Sequence, residues 1–192
     1  MKRFQKDCGV HYIQFIRELS VKCRQNGIVL SVDNYVPKGY NQQYNRKEQG
    51  VMADYVIIMG YDEHNGSSLE AGSVSSYEFV KEGIEETIKE VPAEKVISGI
   101  PFFTRLWSET PKTQEELNQE AGTEAADYPM KVTSEALGMS TARDKISQAG
   151  AETTLDETTG NNYATWEADG VTYEIWLEDA TSIERSFNHE GE

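Results

Sequence analysis

Three short runs of this chain, 28–36, 53–60 and 95–103, are apolar on both faces, and two longer helical patterns accompany them. A strand with one wet side alternates apolar and polar residues. Val56-Ile57-Ile58-Met59 does not alternate, so the run suits a strand of a parallel sheet with both faces covered. The helical patterns fit that requirement. Over 3–26, Val10, Ile13, Ile16, Leu19 and Cys23 recur at three- and four-residue steps, and Asn26-Gly27 supplies a left-handed stop. Over 74–90, Tyr77, Val80, Ile84 and Ile88 form the buried stripe, and Pro92 closes the segment. A polar connector between the first two strands holds a short helix near 43–50. The order αβαβαβ predicts an α/β fold with a parallel sheet.

Beyond Trp107 the pattern changes. Residues 108–129 are acidic and poor in apolar side chains, which predicts a loop. Ser140 reads as the N-cap of a helix that runs to Ala149 and stops at Gly150. Asp169-Gly170 is a two-residue hairpin signal. That turn sets Trp166 opposite Tyr173 and Ala164 opposite Ile175, with Ala168 and Val171 on the same apolar face. An antiparallel α+β module is thus inserted after the parallel unit. Three parallel strands are too few for a closed barrel, which takes eight strands and ~250 residues. Either the sheet is open or the chain is part of something larger.

Charge narrows the partners. The 192 residues carry 18 basic and 33 acidic side chains, a formal net charge of -15. Such a field repels phosphate backbones and anionic lipid, so no nucleic acid and no membrane is expected as a partner. No apolar run approaches the ~20 residues needed to cross a bilayer. The start, Met1 to Asp7, has the charge of an export signal without its apolar run, so no signal peptide is expected and location stays open. Cys8 and Cys23 lie 15 residues apart on one predicted helix. That separates them by roughly 22 Å along its axis, too far for a disulfide. No cofactor is expected. His11, His64 and His189 show no metal-ligand spacing.

The sharpest local signal is Met59-Gly60-Tyr61-Asp62-Glu63-His64, at the C-terminal end of the second strand. Ligand-binding groups of parallel α/β folds collect at that end. A hydroxyl beside a carboxylate suits an amide or a sugar hydroxyl. Equally, Asp62 could cap a turn and Tyr61 could be a core aromatic with a wet tip. The third run leaves through Phe102-Phe103-Thr104-Arg105-Leu106-Trp107, which brings a guanidinium and an indole to the same rim. A surface ion pair beside a buried Trp is the plainer alternative. Asp33-Asn34-Tyr35, at the exit of the first strand, adds polar groups with the same ambiguity.

These motifs, read together, carry a resemblance. Residues 53–64, then Ala71-Gly72-Ser73, then 96–107 resemble the family 18 glycoside hydrolases, in the spore-cortex and cell-wall branch of that chitinase-like family. Residues 132–140 and 173–184 resemble the insertion module of the same branch. The resemblance implies a (β/α)8 TIM barrel, of which this chain holds the equivalents of strands five to seven plus the module. It divides the chain into a partial barrel (1–107), the acidic loop with the α+β module (108–178), and the start of the next helix with a tail (179–192). It also implies hydrolysis of β-1,4 links beside N-acetylglucosamine, with the substrate's own acetamido oxygen as nucleophile. Tyr61 and Asp62 become the catalytic pair that grips the acetamido group. Met59 and Arg105 become substrate contacts, and Phe103 stands where the family often has Tyr; Trp107 and Tyr35 join them as substrate contacts from their places at the strand exits. Relatives of this kind work outside the cell, in the wall or in the spore.

One departure outweighs these matches. The family's acid is the last residue of an Asp-x-x-Asp-x-Asp-x-Glu signature, which occurs nowhere in these residues. The expectation is half of a binding cleft without its proton donor, inactive alone, whose partners are an N-acetylglucosamine glycan and the missing half of the barrel or a second copy. A non-catalytic glycan-binding remnant, or an assembly module working through unpaired strand edges, is the alternative.

Overall fold

A computed structural model describes residues 8–188. They fall into two compact units, 8–60 with 78–100 and 61–77 with 101–188. The expectations placed on residues 1–7 and on His189 lie outside the described residues.

The first unit begins with α1 (Gly9–Gln25), which turns at Gly27 with φ +66°. Next come β1 (Ser31–Tyr35), a 3-10 segment (Gly39–Tyr44), α2 (Arg46–Met52) and β2 (Tyr55–Met59). After α3 (Tyr77–Ile88), β3 (Val96–Gly99) completes a parallel sheet in the order β1-β2-β3. The short helix expected near 43–50 is two pieces joined at Asn45, which adopts φ +48° and caps α2 through its side chain on the Glu48 N–H. One face of the sheet carries Val32, Val56 and Ile58, packed with Ile13 and Ile16 of α1 and with Met52 and Val91. Asn34 is the polar exception on that face, and its amide is satisfied by Gln49 at 2.6 Å. On the opposite face Asp33, Tyr55 and Ile97 are exposed, while Tyr35, Ile57 and Met59 are partly buried. In a barrel, such a face packs against inward side chains from further strands.

The expected third strand, 95–103, is two strands. Pro101 has no N–H to give a ladder. The parallel strand ends at Gly99, and β4 (Phe103–Pro111) starts a second, antiparallel sheet. That sheet belongs to the second unit. With β5 (Met130–Gly138), β6 (Thr154–Leu155), β7 (Asn162–Ala168) and β8 (Val171–Leu177), its order is β5-β4-β8-β7-β6. The hairpin register is the one that the Asp169-Gly170 turn dictates: Trp166 pairs with Tyr173 and Ala164 with Ile175. Both turn residues have positive φ, +52° and +77°, which a two-residue turn of this hand requires. Leu106, Leu137, Ala164, Ile175 and Leu177 cover one face, against Ala142 and Ile146 of α5 (Met139–Ala149). The chain then enters α6 (Ala180–Asn188).

Two further expectations change. Residues 108–129 are not a plain loop: they hold the end of β4, a helix and a 3-10 turn at Glu124–Asp127. Thr113 and Glu116 form a reciprocal cap on α4 (Gln114–Gln119). Lys112 reaches Glu120 and the Ala125 carbonyl, and Lys131 holds Glu116 at 2.8 Å. Three hydrogen-bond donors on its carboxylate, the Lys131 ammonium foremost, hold Glu116 down to about 2. The N-cap of α5 is Gly138, not Ser140, because β5 runs into the helix without a linker. As expected, Cys8 and Cys23 are not joined to each other.

Candidate active site

Tyr35 and Met59 are register partners at the C-terminal ends of β1 and β2, on the face opposite Val32 and Val56. Tyr35 meets Tyr44 edge to face at 6.5 Å, and its carbonyl accepts from the Arg46 guanidinium at 3.0 Å. The end of β1 is thereby fixed from within the first unit.

The other expected site residues belong to the second unit. Tyr61 packs edge-on against Phe103, with ring centroids 5.9 Å apart. Asp62 has φ +64°. A left-handed backbone is unfavourable for a residue with a side chain, although Asp tolerates it better than most, and it persists where the surroundings over-determine it. Those surroundings are visible. The Glu63 N–H donates to the Val74 carbonyl at 3.1 Å, and the His64 N–H to the Ser73 carbonyl at 3.3 Å. The Glu63 carboxylate accepts from the Ser76 N–H at 2.8 Å and from its hydroxyl at 3.0 Å. Arg105 donates to the Ser134 hydroxyl at 3.0 Å and lies against Gly66. Its Nε is buried with no acceptor among the described residues.

Trp107 is not at a rim. It is 1% exposed, and its indole N–H donates to the Gly72 carbonyl at 2.9 Å. With no ring face in solvent it does not stack on a sugar; its place is beneath the 61–77 segment. Alternation along β4 sets Phe103, Arg105, Trp107 and Glu109 on one face. Phe103 touches Tyr61, Arg105 touches Gly66, Trp107 holds Gly72 and Glu109 accepts from the Ala71 N–H. Burial, then the neighbouring Glu174, raise the Glu109 carboxyl above its ordinary value against the pull of that N–H.

Glu63, His64, Gly72 and Glu109 received no role from the sequence. The available signal was adjacency: Glu63-His64 follows Asp62 directly, and Gly72 sits in the quoted Ala71-Gly72-Ser73. Among the described residues no group of three or more His, Cys, Asp or Glu side chains is placed to hold a metal ion.

A second network ties the same segment to the residues just before β7 and just after β8. The Ser73 hydroxyl donates to Asn161 at 2.7 Å, Asn161 reaches Glu178, and the Ser182 hydroxyl also donates to Glu178. Burial pushes the Glu178 carboxyl up despite these donors. A carboxyl whose folded pKa is raised adds stability below its unfolded value, and that stability is lost as pH rises through the folded pKa. Glu178→Gln is therefore expected to raise the melting temperature relative to the parent chain at pH 7 and to lose that advantage at pH 4. Thermal melts followed by tryptophan fluorescence at the two pH values check this.

With this geometry in place, the comparisons with known proteins are decisive about family. The model of the glycosyl hydrolases family 18 matches residues 5–189. The chain belongs to this family. It is similar to the cortical fragment-lytic enzyme of Bacillus subtilis, with 26% identity over 186 residues that cover 92% of this chain and 39% of the relative. The spore cortex-lytic enzyme SleL of Bacillus cereus superposes with a TM-score of 0.77 at 23% identity, over 98% of this chain and 40% of SleL. A Cycas revoluta family 18 chitinase in complex with (GlcNAc)3 superposes with a TM-score of 0.69 at 24% identity, over 93% of this chain and 54% of the chitinase. The chain spans 18% to 39% of the length of the curated relatives it matches. Its fold is α/β, part of a (β/α)8 barrel carrying an inserted α+β module, and no barrel closes among the described residues.

Proposed function

We propose that this family 18 chain supplies the acetamido-gripping part of a glycosidase acting on β-1,4-linked N-acetylglucosamine glycans. In the substrate-assisted scheme the acetamido carbonyl oxygen attacks the anomeric carbon while the leaving oxygen takes a proton, and water then opens the oxazolinium-like intermediate with retention. Tyr61 donates its hydroxyl to the acetamido group. Asp62 accepts the acetamido N–H and balances the positive charge that develops on the ring. Arg105 contacts a neighbouring sugar hydroxyl. The observation that carries this reading is Asp62, held in a left-handed conformation by a frame of backbone hydrogen bonds beside Tyr61. The cortex-lytic names of two relatives favour peptidoglycan over chitin as the glycan.

The acid is a separate matter. The 192 residues contain no Asp-x-x-Asp-x-Asp-x-Glu, so in this reading the proton comes from polypeptide outside them. Asp33, Tyr55 and Ile97, exposed on one face of the parallel sheet, support the same idea, since further barrel strands would cover them. The second reading, a glycan-binding module without catalysis, rests on the missing acid. Calorimetric titration with chitotetraose tests the shared part of both. Asp62→Asn keeps the shape and the tolerance of positive φ but removes the charge. It is expected to weaken binding about tenfold, the size of one charge-assisted hydrogen bond. Unchanged affinity in Asp62→Asn would remove Asp62 from the site.

A further inference from the structure

Asp62 depends on a support that neither its own residues nor the family match assigns. The peptide at Gly72 is gripped from two sides. Trp107 donates to its carbonyl at 2.9 Å from β4. The His64 imidazole lies on its α-carbon, where an added Cβ would come 2.5 Å from the ring. The same imidazole bonds the next carbonyl, Ser73, through Nδ1 at 2.8 Å. A carbonyl oxygen only accepts, so Nδ1 carries the proton. Ser73 is further fixed through its hydroxyl, which donates to Asn161 and accepts from the Ser75 N–H at 3.0 Å. Residues 73 and 74 in turn accept the N–H groups of His64 and Glu63, the two residues that follow Asp62. The chain of contacts runs from β4 through Gly72 to the backbone immediately after the left-handed Asp62, all within the second unit.

We infer that Trp107 and His64 are positioning residues for the acetamido site, clamping the Gly72 peptide between them so that Asp62 is held left-handed. This rests on the glycan reading of Tyr61 and Asp62 only for its functional consequence; the conformational consequence stands by itself. Trp107→Phe removes the donor and keeps an aromatic ring. Gly72→Ala keeps every donor and drives a methyl into the imidazole. Both leave Asp62 and Tyr61 untouched.

The experiment is NMR on the 192-residue chain and these two variants, with chitotetraose titrations alongside. The Asp62 Cα and Cβ shifts and its N–H to Hα coupling report the sign of φ, which a general loss of stability in a folded variant does not move. In each variant that folds, Asp62 is expected to lose the left-handed signature, and chitotetraose affinity to fall about tenfold. Retention of that signature in a folded Trp107→Phe or Gly72→Ala chain overturns the inference. If both variants unfold, the Gly72 and Ser73 amides of the parent chain decide. Hydrogen exchange at Glu63 and His64 that tracks their exchange supports the clamp, and faster independent exchange at Glu63 and His64 rejects it. A parent chain that shows the left-handed signature but binds no chitotetraose removes the glycan reading and leaves the clamp standing.

Discussion

A polypeptide of these 192 residues is expected to bind chitotetraose and release no reducing ends above blank, and to gain turnover when a family 18 segment bearing Asp-x-x-Asp-x-Asp-x-Glu is supplied. Glycoside cleavage needs a proton on the departing oxygen as the anomeric bond breaks. A positioned general acid typically contributes ~100- to 10,000-fold. Neither carboxylate beside Tyr61 is assigned to that proton in our reading, Asp62 being given to the acetamido N–H. Glu63 accepts two bonds from Ser76, and Asp62 sits in the strained position next to it. Reducing-end release from chitotetraose or from muropeptide glycan, measured with and without the added segment, checks the expectation. At least 100-fold more turnover with the segment is the expected result. Turnover by the 192 residues alone would show that another of their carboxyls is the acid.

Arg46→Ala is expected to destabilise the first unit by about 3 kcal/mol, more than a typical surface substitution by several-fold. Arg46 is 1% exposed and makes no ion pair with a carboxylate among the described residues. Burial lowers its pKa, and the more distant Glu90 opposes that only in part. Its guanidinium donates to the Tyr35 carbonyl at 3.0 Å and to the Asn41 side-chain oxygen at 2.8 Å. Asn41 passes the connection on to the Val36 carbonyl at 2.9 Å. Alanine leaves a cavity, takes the guanidinium donor from the Tyr35 carbonyl and leaves the Asn41 oxygen with the Lys38 N–H at 3.0 Å. Arg46→Met fills most of the cavity but restores no donor, so it is expected to cost about 1 kcal/mol less. Trp107, Trp166 and Trp176 all lie in the second unit. Hydrogen exchange of the β1 and β2 amides is therefore the measurement, and unchanged protection in Arg46→Ala would count against the buried guanidinium as the tie at the end of β1.

The apolar runs were legible as strands because their composition has one physical use, burial, and the helical stripes because their spacing has one geometry. The Asp169-Gly170 hairpin was legible to the residue, since a two-residue turn fixes which side chains face each other. The break at Pro101 was written in the chain but masked by the apolar Phe102-Phe103 that follows. Residues 108–129 misled because acidity alone does not separate a solvated loop from a segment whose acids cap helices and meet Lys112 and Lys131. Trp107 misled for a related reason. An indole beside an arginine at a strand exit suits a sugar, and only the register of β4 against the 61–77 segment shows its N–H spent on Gly72.

By itself the sequence determined the parallel α/β character, the inserted antiparallel module, the motif that marks family 18 and the absence from these residues of its acid signature. All are properties of residue order and local spacing. The tertiary structure decided which residues stand behind the backbone at Asp62, and that Trp107 is among them. Those contacts join positions such as 72 with 107 and 73 with 161. No local preference encodes a hydrogen bond across so many residues; it exists only once the sheet and the segment are packed together.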